Sequence, residues 1–394
     1  RFHLMAESCA ETSFYTFERN GGIALEVLGI VVLFYAMMVL TDEFLMEYIY
    51  VTINRFKLSN GGGSCLIAFG SIIPEFTVNT VACLLMASSS ATLGLSTVIG
   101  SGCFDFTICL GIAAFVAYFN HRSLPIDMSE FYIIYLWYLA GLGALILVTM
   151  DGKVNVFEAL GLLTLTPVYL YYNFKMNSKP NANYETVKGD QQIEEAELPG
   201  TCPSVFNNPV FGALRWGTRG FFGLVVPKYT GSMWQIVLGF TMTIMISFAI
   251  TRATVLLIIR VLCHLSVPQS LVGLTIIAWG NNIGDIMNSA VAAKRGNAQL
   301  SVSSVISTQV LNIHCSLGLP WVLSALFSGS FTMDDSLTLN SLLFVIAVVL
   351  VSVLLIFLGG RALNLPVALL LTSLYIAYIV CEWTVMRKMS GLLS

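Results

Sequence analysis

The chain has 394 residues, of which 56% are hydrophobic and only 10% charged, with a formal net charge of −3. Soluble domains carry about a quarter charged residues, so this composition excludes a soluble protein and points to an integral membrane protein. The charges lie between apolar runs, and no cofactor and no nucleic-acid partner is expected.

A membrane-crossing helix needs about 20 mostly apolar residues. In chain order such runs fall at 22–41, 62–86, 92–119, 130–150 and 155–176, then at 233–263, 269–293, 300–327, 338–358 and 363–386. They predict an all-α membrane protein of ten transmembrane helices. The intervening stretch, 177–232, contains NSKPNANYETVKGDQQIEEAELPGTCPS, a Pro-, Asn- and Glu-rich composition that reads as a partly disordered connector. Residues 1–176 and 233–394 then form two five-helix halves around a loop at 177–232.

Lysine and arginine set the orientation of such a protein. One set of connections holds Arg55, Lys57, Arg122, the basic residues from Lys175 to Lys228, Lys294, Arg295 and Arg361; the other holds Arg1, Arg19, Lys153, Arg260, Arg387 and Lys388. The richer set is expected in the cytoplasm, with the long loop, which puts both termini outside. The cysteines form no Cys-x-x-Cys, and most lie in apolar runs, where they read as small core residues.

The two halves repeat. SCLIAFGSIIPEFTVNT from Ser64 aligns with LTIIAWGNNIGDIMNSA from Leu274, pairing Ala68 with Ala278, Gly70 with Gly280 and Glu75 with Asp285. SGCFDF from Ser101 aligns with TQVLNI from Thr308, pairing Asp105 with Asn312. An odd number of crossings separates the copies, so the second is inverted relative to the first, which is the architecture of secondary transporters with a midplane site.

Charged groups inside a membrane are expensive and mark ion pathways. Four i, i+4 pairs stand at matching depths: Ser71 with Glu75, Ser101 with Asp105, Asn281 with Asp285, and Thr308 with Asn312. On a helix that spacing stacks both side chains on one face. Carboxylate, hydroxyl and amide oxygens without thiol or imidazole suit Ca²⁺ and Na⁺ rather than Zn²⁺ or Cu⁺. Pro74 is expected to break the helix in GSIIPE, and Gly280 and Gly284 to weaken it in GNNIGD. Carbonyls freed near Ala68 and Ala278 would add ligands. Ser71, Ser101 and Thr308 have an alternative role, bonding back to the preceding turn. His314 reads as a satisfied core histidine, Trp279 as packing beside the site, and Arg252 has no evident partner in the sequence.

AFGSIIPEFTVNT with VIGSGCFDFTICLGI resembles the first signature repeat of the calcium/cation antiporters, and GLTIIAWGNNIGDIMNSAVAAKRG with SLGLPWVL resembles the second. VGLTIIA and CSLGLPW are most similar to the potassium-dependent sodium/calcium exchangers, while AWGNNIGD resembles AWGNSIGD of the sodium/calcium–lithium and cation/calcium exchanger branch. The signatures occupy 62–119 and 269–327. The resemblance implies that Glu75 and Asp285 are central ligands shared by Ca²⁺ and Na⁺, with Ser71, Asn281, Asn282, Ser101, Asp105, Thr308 and Asn312 around them. It also implies that the first and sixth helices slide past the other spans, in the plasma membrane as the default.

Two positions depart from the family pattern. Ile72 replaces a usual hydroxyl. Asn312 stands where the potassium-dependent exchangers carry aspartate, while Asp105 stands where they carry asparagine, leaving K⁺ co-transport open. Calcium/sodium exchange is the expected function, with proton/calcium exchange the alternative and a channel or non-transporting relative further behind. An intramembrane aspartyl protease is disfavoured, because Asn282, Ile283 and Gly284 before Asp285 do not make Gly-x-Gly-Asp.

Overall fold

A computed structural model describes residues 22–56, 60–85, 91–176, 209–227, 232–265, 269–332 and 335–389. The first half contains α1 (Ile23–Val39), a π-helical turn (Leu40–Leu45), α2 (Met46–Phe56), α3 (Asn60–Ser71), α4 (Ile73–Thr80), α5 (Ala91–Phe104), α6 (Leu110–His121), α7 (Met128–Thr149) and α8 (Val156–Met176). Next comes α9 (Pro209–Val225). The second half contains α10 (Met233–Leu265), α11 (Gln269–Val272), α12 (Ala278–Asn281), α13 (Ile283–Lys294), α14 (Ala298–Leu311), α15 (Gly318–Ser328), α16 (Asp335–Leu358) and α17 (Leu365–Met389).

Among the described residues, seven helices are long and apolar enough to cross a membrane: 23–49, 91–121, 128–149, 233–261, 298–327, 340–358 and 365–384. The other three runs expected from the sequence are the interrupted stretches at 60–85 and 269–294 and the shorter apolar helix 156–172. Two of these interruptions lie at aligned positions. The helix stops at Ile72 (φ −81°, ψ −4°) in one copy and at Asn282 (φ −90°, ψ 10°) in the other. Pro74 accounts for the first, because it has no N–H to donate.

Two small antiparallel strand pairs tie connections of one half to those of the other. β1 (Leu124–Pro125) pairs with β4 (Ala362–Leu363), and β2 (Lys153–Asn155) pairs with β3 (Ser330–Thr332). Caps also recur. Asn155 Oδ1 accepts from the N–H groups of Phe157 and Glu158 at 2.9 and 3.1 Å, and Asn364 Oδ1 from that of Val367 at 3.1 Å. Asp127 accepts from the amide and hydroxyl of Ser129 at the start of α7, and those bonds hold its carboxyl below the usual range.

The main core joins both halves around Phe106, which stacks on Tyr138 with ring centroids 4.9 Å apart, and the buried Trp321. No buried residue of α1, α2 or α10 belongs to this cluster. Those helices pack in separate clusters; one joins Ile30 with Val255, Ile258 and Val261 and also takes in Val78, Leu93, Val272 and Ile277 of the other helices.

The expected connector needs a correction: 177–208 lies outside the described residues, but 209–225 is helical. PVFGALRWGTRGFFGLV repeats apolar residues at helical spacing, and averaging it with the acidic, Pro-rich stretch before it hid that period. α9 is anchored to the π-helical turn of the first span. Arg215 and Arg219 contact the two oxygens of Glu43 at 2.6 and 3.3 Å, and Phe222 meets Phe44 edge to face. The Tyr48 hydroxyl donates to the carbonyl of Pro227.

With Arg219 well exposed and Arg215 half-buried, these pairs together contribute about 1–2 kcal/mol. Glu43→Gln is therefore expected to loosen α9, making trypsin cut at Arg215 and Arg219 several-fold faster in detergent. An unchanged cleavage rate would mean that aromatic packing alone holds the helix.

Candidate ion-binding site

The two broken helices and the two helices with bent turns bring the polar residues together. Pi-helical turns begin at the aligned residues Asp105 (Asp105–Cys109) and Asn312 (Asn312–Leu317). Such turns add a residue to the helix and re-aim side chains, and they concentrate at functional sites. Another, Gly273–Ile277, precedes the break at Asn282.

Glu75 and Ser101 are fully buried and in contact: the Ser101 hydroxyl donates to Glu75 Oε1 at 3.4 Å, while Oε2 has no partner among the described residues. Asp285 is close enough to Glu75 and to Asp105 for direct charge repulsion. It makes no hydrogen bond or ion pair among the described residues and lines a small pocket with Ser71, Asn281 and Asn288. The pocket leaves about 20 Å³ for the centre of a water-sized sphere, room for one water or one bare ion.

Asp105 is engaged differently. Its two oxygens accept from Gln309 Nε2 at 2.6 Å and from Cys109 Sγ at 2.9 Å. Gln309, from the other half, was not singled out in the sequence; its only signal is its place beside Thr308. Cys109 likewise does more than fill the core. Among the described residues, the fully buried Asn312 has no partner for either side-chain atom, the buried Asn282 none for Oδ1, and Asn281 none for Nδ2.

Several expectations need adjusting. The breaks do not free the carbonyls of Ala68 and Ala278. Ala68 O accepts from the N–H of Ile72 at 3.2 Å, and Ala278 O from the N–H of Asn282 at 3.1 Å and from its Nδ2 at 2.8 Å. The chain turns at Ile72 and Asn282 without losing the i to i−4 bond, so the Ala68 carbonyl keeps one lone pair while both of Ala278's are taken.

Ser71 and Thr308 bond back to Ile67 and Ser304, whereas Ser101 reaches Glu75. His314 is buried, and among the described residues neither ring nitrogen is bonded, so it is not a satisfied core histidine. Gly141 leaves room for its ring, since a methyl group there would stand 2.7 Å from Nε2. Trp279 is half-exposed and donates to the Tyr375 hydroxyl. No three Asp, Glu, His or Cys side chains among the described residues converge on one point; the acids meet in pairs.

Asp42 also lines the pocket, on the π-helical turn of the first span. The sequence reading ended that span at 41, on the first charged residue. Gly284 lies against it, since a methyl group there would stand 3.2 Å from Asp42 Oδ1.

The sequence model of the family described as sodium/calcium exchanger protein matches residues 26–175 and 232–384, most of the chain. Human sodium/potassium/calcium exchanger 5 is 22% identical over 372 residues, covering 78% of this chain and 72% of that protein. Cation/calcium exchanger 1 of Arabidopsis thaliana is 34% identical over 122 residues, which is 30% of this chain and 21% of the relative. Two solved structures share the fold. The sodium-calcium exchanger NCX_Mj matches with a TM-score of 0.52 and 19% identity over 91% of this chain and 98% of its own. The H⁺/Ca²⁺ exchanger CAX matches with a TM-score of 0.55 and 13% identity over 98% and 95%. The chain is a multi-pass membrane protein that belongs to the sodium/calcium exchanger family, within the calcium/cation antiporter superfamily.

Proposed function

We propose that the chain is a secondary antiporter exchanging Ca²⁺ for Na⁺ at a site built from two inverted five-helix repeats. The observation that carries the reading is a buried acid at each aligned break, Glu75 and Asp285, near enough to repel each other, with buried oxygens that lack partners among the described residues. Buried carboxylates without a cationic side chain are accommodated only when a proton or a mobile metal cation offsets their charge. Glu75 and Asp285 are the central ligands. Ser101, Asn282, Asn312 and the pocket residues Ser71 and Asn281 supply neutral oxygens. Asp105 and Thr308 stand one step back; the carbonyl of Ala68 offers its second lone pair, and that of Ala278 becomes a ligand once the Asn282 amide releases it.

The ten-span reading, with 1–176 and 233–394 as repeats and the 177–232 loop cytoplasmic, agrees with the strand pairs. Pairing β1 with β4 and β2 with β3 requires an even number of crossings between the partners, which ten spans provide. The separate packing of α1, α2 and α10 fits a pair that slides across the rest. Coupled exchange then follows from repulsion: an empty site gathers like charges, and a loaded one does not.

Proton/calcium exchange is the alternative favoured by one observation. Ile72 is buried at the break and offers no oxygen where sodium-coupled relatives usually carry a hydroxyl.

The reading is tested in liposomes. An outward Na⁺ gradient is expected to drive ⁴⁵Ca²⁺ uptake, with parallel vesicles containing K⁺ or an H⁺ gradient. Uptake driven by H⁺ alone would replace the sodium reading, and calcium leak without any counter-ion would replace exchange with a channel.

A further inference from the structure

The first span carries a carboxylate into the pocket that neither the sequence repeat nor the family comparison assigns. Asp42 sits in the π-helical turn Leu40–Leu45, next to Glu43, which α9 holds through its arginines. Asp42 and Asp285 line the same pocket, and the bare backbone of Gly284 lies against Asp42, where a methyl group would stand 3.2 Å from its Oδ1. Asp285 is only 6% exposed and lacks a hydrogen-bond or ion-pair partner among the described residues, yet it lines the pocket. Arg215 and Arg219 pair with Glu43, the neighbour of Asp42 on the same turn. Two acids facing one opening large enough for a single ion make a bridging position for a cation, since carboxylate oxygens are the preferred ligands of Ca²⁺.

We propose that Asp42 is a calcium-binding residue of the transport site: a divalent cation bridges Asp42 of the first span and Asp285 of the second repeat. Because α1 and α2 pack outside the main core, a bridging ion joins the sliding span to the fixed one. Occupancy thereby selects the position of the first span, and the departing ion releases it. The inference rests on the antiporter reading above. Affinity in oxygen sites follows the number of charged ligands, so Asp42 sets how tightly calcium is held in this state.

The test is ⁴⁵Ca²⁺ binding to purified full-length protein in detergent, followed by uptake after reconstitution, with Asp42→Asn, Asp42→Glu and Asp285→Asn compared with the parent. Asp42→Asn is expected to weaken calcium binding about tenfold and to raise the half-saturating calcium concentration of uptake, with the maximal rate less affected. Asp42→Glu is expected to restore binding to within about threefold, because it returns the charge. Asp285→Asn is expected to abolish both. If the parent binds and Asp285→Asn does not, but Asp42→Asn binds like the parent, the assignment of Asp42 falls while the antiporter stands. If the folded parent binds no calcium, the antiporter reading falls first. Equal losses in Asp42→Asn and Asp42→Glu, with both proteins monodisperse, would make Asp42 a packing residue.

Discussion

Glu75→Gln is expected to abolish calcium flux while leaving the ion-free protein at least as stable as the parent. Glu75 is fully buried; one oxygen meets Ser101 and the other has no hydrogen-bond partner among the described residues. The charge that acts on it most is another acid, Asp285. The substitution keeps the shape and removes the charge. Losing one member of a buried charged contact costs about 2–5 kcal/mol, so calcium affinity should fall by about 30-fold to several thousandfold. Without the ion, the same change removes a buried charge and its repulsion with Asp285, neither of which stabilises the fold. The two effects have opposite signs, and that separates a transport ligand from a structural acid. Calcium-dependent thermal shift should disappear, while the melting temperature in chelator stays level or rises. A melting temperature in chelator that drops by several degrees would show that Glu75 holds the helices together.

The long apolar runs were legible because membrane solvation fixes their length, and the aligned breaks because proline and glycine act locally. What the sequence concealed depended on tertiary placement or on averaging. The first helix passes through Asp42 and Glu43 because a π-helical turn lets Asp42 face the pocket and Glu43 face α9; a count of apolar residues stops at the first charge. Gln309 reaches Asp105 from the other half, and no i, i+4 pattern reports a contact across repeats. The carbonyls of Ala68 and Ala278 stay bonded because a turn can bend a helix at one residue without opening its hydrogen-bond ladder. α9 was masked by its acidic, Pro-rich neighbour in sequence.

Gly100→Ala is expected to destabilise the fold more than any other single-methyl addition discussed here. Gly100 lies where α5 crosses the Gly273–Ile277 turn, backbone against backbone. A methyl group on it would stand 2.4 Å from the carbonyl oxygen of Leu274, 2.6 Å from its Cα and 2.7 Å from its carbonyl carbon. None of these atoms can rotate away, so the helices must separate, whereas a flexible side chain would simply turn. Overpacking of a tight core costs about 1–3 kcal/mol, and contact with backbone puts this case at or above the upper end. Gly161→Ala provides the control, since nothing lies within 4 Å of that position; within a helix it should be neutral or stabilise by up to about 1 kcal/mol. The readout is the melting temperature and monodisperse fraction in detergent, followed by flux at a temperature where the variant remains folded. Gly100 directly precedes Ser101, the hydroxyl that donates to Glu75, and its crossing joins the two halves. Separation of the helices should therefore reduce flux even in folded Gly100→Ala, by pulling Ser101 away from Glu75. Parent-like stability would mean that α5 and the 273–277 turn do not touch through their backbones, and the close approach of the two halves at the site would lose its physical basis.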